Sequence, residues 1–196
     1  MTFHLSSLFS SGGSSDPQAC ASFSIRPAPW DGTKILVHQT GYPIDSPPMY
    51  SITISSSGKS NVVVSRGWGG GPWDVVGDAR LPTFSSKIHL TIHGQPTEMR
   101  FSEMSGNSSF PTPSMGKLKW KLDSMSTKKM DLLDESGRKL AKVHSGKASG
   151  EKILDILIPH DIFFLEVVLL SAWANKAQNK TALEASGEVI GAVLGA

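Results

Sequence analysis

Residues 155–173 read DILIPHDIFFLEVVLLSAW, the most apolar stretch of the chain, and the fold turns on whether it is a membrane span, a buried strand pair or a helix sunk in a core. Its uninterrupted part, from Ile162 to Trp173, is 12 residues long. A helix that crosses a bilayer needs about 20. Pro159 closes the segment before it, and Asp161 stands where a helix N-cap belongs. Apolar residues then occupy every side of the helical wheel except at Glu166, and a helix apolar all round is buried on all sides. After Trp173 the sequence ANKAQNK turns polar, so the helix is expected to emerge into solvent there.

What buries such a helix follows from the rest of the chain. Short Val/Ile/Thr-rich runs separated by turn residues lie at 22–26, 34–39, 49–55, 61–66, 73–80, 87–93 and 97–102. Others lie at 116–122, 128–134, 138–144 and 152–158, about eleven strands in all, with residues 103–114 as a polar, Pro-containing loop. GKLKWKL (116–122) has the clearest alternation: Lys117, Lys119 and Lys121 point one way, Leu118, Trp120 and Leu122 the other. In LLDESGRKLA the residues Asp134 to Gly137 make a turn, pairing 130–134 with 138–144 as a hairpin. Many regularly spaced strands suggest a closed barrel or a sandwich, and a barrel interior is the natural burial place for the helix.

The chain has 196 residues, a formal charge of +2 and a single cysteine, Cys20. That length holds one domain with a substantial core, here divided into an N-terminal flexible segment (1–21), a barrel with its helix (22–176) and a C-terminal tail (177–196). The charge is too small to indicate nucleic acid. It is unevenly spread: residues 117–152 hold ten bases against five acids, and residues from 153 onward two bases against five acids. A lone cysteine excludes an internal disulfide framework and fits a reducing compartment. The N-terminus lacks the basic and apolar regions of a secretory signal, and a cytoplasmic location is expected.

The order GKLKWKL, MDLLDESGRKLAKVH, DIFFLEVVLLSAWA resembles the tubby C-terminal-like superfamily, which includes the LURP-one-related and phospholipid scramblase-like proteins, and is most similar to small fungal members of it. The likeness is carried by residues 116–174. It implies a mainly β fold, an antiparallel closed barrel of about twelve strands around a central hydrophobic C-terminal helix. Tubby itself binds phosphoinositide head groups through basic side chains on its barrel surface, but those positions have no residue-by-residue match here. The chain also runs on past the helix, where a compact family member would end.

Candidate site residues are few, and each has a simpler structural reading. Glu166, on an apolar helix, is either a proton donor or acceptor at a barrel-end pocket or a carboxylate paired with a strand Lys or Arg. His89 and His93 have metal-pair spacing for a helix, but in a strand they sit on one face roughly 13 Å apart, too far for one ion. No metal or cofactor is expected. Trp68 and Trp73 flank the glycines of RGWGGGPWD and could clamp a flat or greasy ligand, or simply pack on the barrel end. Lys117, Lys119 and Lys121 could face anionic lipid or merely keep a strand soluble. Asp74 and Asp78 fall on one strand face.

Two functional classes follow from this. The leading expectation is a non-catalytic binding module for a lipid head group, small apolar ligand or protein partner. The alternative is a cofactor-independent enzyme (isomerase, cyclase or hydrolase) of fungal small-molecule metabolism. That enzyme would use Glu166, Asp74 and one of His38, His89, His93, His144 or His160 as acid–base groups, which requires a concave pocket exposing at least two of them.

Overall fold

In the computed structural model, residues 18–55, 61–67, 72–82, 85–123 and 126–194 are described, with side chains for all of these except 126–128 and 183–194. Period-two alternation of apolar and polar residues produces twelve strands: β1 (Ala21–Ala28), β2 (Asp31–Gln39), β3 (Tyr50–Ile54), β4 (Val62–Arg66), β5 (Asp74–Arg80) and β6 (Lys87–Ile92). They continue with β7 (Gln95–Phe101), β8 (Ser108–Thr112), β9 (Gly116–Asp123), β10 (Ser126–Leu133), β11 (Lys139–Ser145) and β12 (Lys152–Ile156). Each strand pairs antiparallel with its sequence neighbour, and β1 pairs with β12 from Ala21 opposite Ile156 to Ile25 opposite Lys152. The barrel is therefore closed, and each of these twelve strands has a neighbour on both sides.

Eleven of the twelve strands lie where alternation places them. The exception is β8, inside the stretch read from sequence as a polar loop. It has one large apolar side chain facing in, Phe110, beside the buried Ser108, and Pro111 is exposed. Its ladder to β7 is two pairs long, against five to β9. In β9 the expected alternation is observed, with Leu118 and Trp120 fully buried and Lys117, Lys119 and Lys121 exposed. The β10–β11 hairpin forms as read, its turn closed by Gly137 at φ 83° and by Asp134, whose Oδ1 accepts from Arg138 N at 3.0 Å.

The barrel interior is filled by α1 (Ile162–Leu194), 33 residues long. Asp161 caps it, accepting from Phe164 N at 2.8 Å. Every residue from Phe164 to Asn175 is buried, a length of about 18 Å at the helical rise. Phe164, Leu165, Val167, Val168, Leu169, Leu170 and Trp173 pack against the inward side chains of the strands. Gly77 lets β5 approach closely: a Cβ there would stand 3.0 Å from Leu170 Cδ2 and 2.8 Å from the Thr91 carbonyl oxygen. One polar pin crosses this core, Trp120 Nε1 donating to Ser171 Oγ at 2.9 Å.

The helix does not stop near Trp173. It continues without a break through the residues read as a tail, where half of TALEASGEVIGAVL is Ala, Leu or Glu and no proline interrupts it. Among the described residues no helix is long and apolar enough to cross a membrane.

Candidate functional site

The strand ends define two rims. At the upper rim, where α1 begins, β3 starts, β4 ends and the β6–β7 turn closes. Glu166, 1% exposed, sits one helical turn inside it and is held from three directions. Tyr50 on β3 donates its hydroxyl to Oε1 at 3.3 Å, and Arg66 on β4 places Nη1 3.4 Å from the same oxygen. His93 places Nε2 2.6 Å from Oε2. An ionised carboxylate only accepts, so the imidazole donates through Nε2. Tyr50 and Arg66 are cross-strand partners, which explains how both reach one oxygen. Burial first, and then the Glu166 carboxylate, push the Tyr50 phenol upward, so it remains a neutral donor.

His93 is not on a strand face beside His89, as the sequence spacing suggested. Ile92 pairs with Gln95, leaving His93 and Gly94 as a two-residue hairpin turn with φ of 47° and 76°. That left-handed conformation matches a type I′ turn, in which histidine is uncommon but tolerated. It swings the ring over the rim, where it stacks on Phe163 with centroids 5.8 Å apart and meets Glu166. His89 instead lies exposed on the outer wall, lining a cleft of about 620 Å³ with Arg80 and Glu98. The two histidines share no face. No group of three metal-ligating side chains occurs among the described residues.

The remaining sequence candidates are dispersed. Asp74 is exposed at the start of β5, opposite Arg66, and a register shift between Val64 and Ser65 separates it from Asp78 along the ladder. Trp73 is 41% exposed, its ring packed close over Gly67. Trp68 lies outside the described residues, so the expected aromatic clamp is represented by Trp73 alone. Lys117, Lys119 and Lys121 form an exposed row on β9. His38 is buried, with Nε2 3.1 Å from the Ser46 carbonyl, and burial pushes its imidazole downward. His160 lines an upper-rim cavity of about 170 Å³ together with the capping Asp161.

Sequence reasoning missed one polar cluster on the outer wall. Asp155 on β12 accepts from Ser22 Oγ on β1, faces His144 Nε2 on β11 at 3.0 Å, and lies 3.9 Å from Lys142 Nζ. The carboxylate stands between the serine and the histidine. Ser22 therefore has no imidazole beside it, and the trio lacks the serine–histidine–carboxylate order of a nucleophilic triad. Cross-strand pairing of Asp155 with Ser22 and Lys142 is what assembles it, a register invisible in the sequence.

Sequence reasoning missed a second feature at the lower rim, where α1 leaves the barrel. A groove of about 730 Å³ opens between the helix and the ends of β1, β2, β3 and β12. Ile25, Ile35, Ile54, Leu81 and Trp173 contribute apolar wall, and Lys152, Lys176 and Lys180 contribute cations. Lys176 had been read as part of the helix's exit into water. It is instead half-buried, and burial first, then the nearby Lys152, push its amine down to about 8. The five clefts at Arg80 and Glu98, at His160, along β9–β11, beside Tyr42 and at the lower rim each hold at most one of the acid–base candidates named from sequence.

No family model, no curated protein and no solved structure matches this chain.

Proposed function

We propose that the chain is a non-catalytic β-barrel module that binds a small apolar ligand in the lower-rim groove. The observation that carries this reading is the groove itself. At about 730 Å³ it falls within the size range of small-molecule sites, and Ile35, Ile54 and Leu81 on its wall are incompletely buried apolar side chains. The enzyme reading has less support, because Glu166 is 1% exposed and occupied by Arg66, His93 and Tyr50. Membership of the tubby-like superfamily, a fungal origin and a cytoplasmic location remain part of the proposal. The twelve-strand closure around a C-terminal helix supports the first.

The test is binding of a neutral fluorescent naphthylamine, N-phenyl-1-naphthylamine, to the full chain. Saturable fluorescence enhancement is expected, and Ala177→Trp, which fills the groove from the helix side, should reduce it about tenfold or more. No enhancement, or enhancement untouched by the plug, would sink the reading. The exposed row of Lys117, Lys119 and Lys121 favours a second reading, docking on anionic lipid, worth about 1 kcal/mol per charge near a membrane. Flotation with phosphatidylcholine vesicles, with and without phosphatidylserine, tests it. Equal recovery from both would remove it.

A further inference from the structure

The lower-rim groove combines greasy walls with a half-buried cation, Lys176, and has no carboxylate among its described lining residues. Its titratable groups among those residues are Lys152 on β12 and Lys176 and Lys180 on α1; no aspartate or glutamate lines it. Lys176 makes no hydrogen bond or ion pair among the described residues. Both influences on its amine, loss of water and the neighbouring Lys152, disfavour the charged form. A buried ammonium is normally paired, because an unpaired one costs several kcal/mol. Here Lys176 shares the groove with the apolar side chains of Ile25, Ile35, Ile54, Leu81 and Trp173, and with no carboxylate among the described lining residues.

We propose that this groove takes a free single-chain amphiphilic anion, a long-chain carboxylate in chemical class, with its tail along the apolar wall and its head on Lys176. The proposal rests on the groove being the binding site and adds the charge of the ligand. A carboxylate head supplies a counter-charge for Lys176 and shields it from Lys152, and the tail covers the half-buried apolar side chains of the wall. Cation and tail site lie within one continuous cavity, so one ligand meets both.

The bound head must also raise the affinity of Lys176 for its proton. Burial and the neighbouring Lys152 push the amine of the free protein down to about 8. Binding at about pH 8 therefore draws up to roughly half a proton from solvent, while at about pH 6, where the amine is already charged, it draws none.

The experiment is displacement of the bound neutral naphthylamine by decanoate and by decyltrimethylammonium, with calorimetry in two buffers of different ionisation enthalpy. Decanoate is expected to displace the probe at least about tenfold more effectively than the cation of equal tail length. Lys176→Met should abolish that preference, and should also abolish proton uptake at the higher pH. Lys176→Arg, which keeps a cation, should retain the preference and lose the uptake. If the probe binds but both amphiphiles displace it equally, the charge assignment falls while the groove reading stands. If the probe does not bind, both fall. Capture by phosphatidylserine vesicles without displacement by decanoate would likewise overturn the proposal in favour of a membrane surface.

Discussion

Glu166 is a carboxylate that the barrel closes over, and its partners differ in how far each could return to water alone. The carboxylate is 1% exposed, the Arg66 side chain 22% and the His93 side chain 39%. Removing the acid by Glu166→Gln leaves two groups that rehydrate at the rim, and a loss of about 1–2 kcal/mol is expected. Removing the base by Arg66→Met leaves the buried carboxylate to His93 and the Tyr50 hydroxyl, and a larger loss of about 3 kcal/mol is expected. Urea unfolding of the two variants checks the order. Equal losses would mean that the pair does not hold the carboxylate's charge. The sequence flagged Glu166 as a residue needing a partner, because a lone acid on an all-apolar helix is costly wherever it lies. It did not identify the partner, since positions 50, 66 and 93 come from three separate elements brought together only by closure. His93 was misplaced for a local reason: the run KIHLTIH alternates through position 93, and the following Gly94, which turns the chain, was not weighed against that alternation.

At the scale of the element, α1 and β9 were the most legible parts, and both were legible through periodicity. Lys-Leu-Lys-Trp-Lys-Leu fixes an inner and an outer face without reference to anything else. The helix, apolar on all sides, could only be surrounded. What periodicity could not supply was the polar pin between them, Trp120 Nε1 to Ser171 Oγ. Both residues are completely buried. Ser171→Ala leaves the indole N–H without its acceptor in a place that water does not reach, and a loss of about 1–3 kcal/mol is expected. The double variant Ser171→Ala with Trp120→Phe removes donor and acceptor together. It should cost less than the sum of the single changes, by a coupling of about 1 kcal/mol in thermal or urea unfolding. Additive losses would show that the contact contributes nothing beyond packing. The strand that escaped notice, β8, failed for the complementary reason. With Ser108 and Phe110 facing in and a proline at 111, it has too short a pattern to stand out from a loop, and its neighbours β7 and β9 impose its conformation. The lower-rim groove was illegible in the same way, because Lys176 becomes half-buried only when β12 and the β1–β2 end lie beside it.

For the molecule as a whole, closure and core filling are one event. The ladder that shuts the barrel joins β1 to β12, with Ala21 opposite Ile156, and the segment that fills it follows immediately in the chain. Until the helix is in place, the inward faces of twelve strands surround nothing. The helix contributes seven large apolar side chains to the core, from Phe164 to Trp173. At about 1.5–3 kcal/mol for each one buried, their loss amounts to roughly 10–20 kcal/mol before any cost to the strands that face them. A domain of this kind has a net stability of about 5–15 kcal/mol. The barrel therefore has no stable empty form, and a chain ending at residue 161 is expected to lack a cooperative unfolding transition and to aggregate, even though all twelve strands remain in its sequence. Far-UV circular dichroism with size-exclusion chromatography checks this. A monomeric, cooperatively unfolding truncated chain would mean that the barrel is held by its ladders rather than by the helix. A shorter deletion, ending at residue 182, keeps the buried part of α1 and the groove beside Lys176. It should fold, and it separates the role of the helix as core from whatever its extension adds.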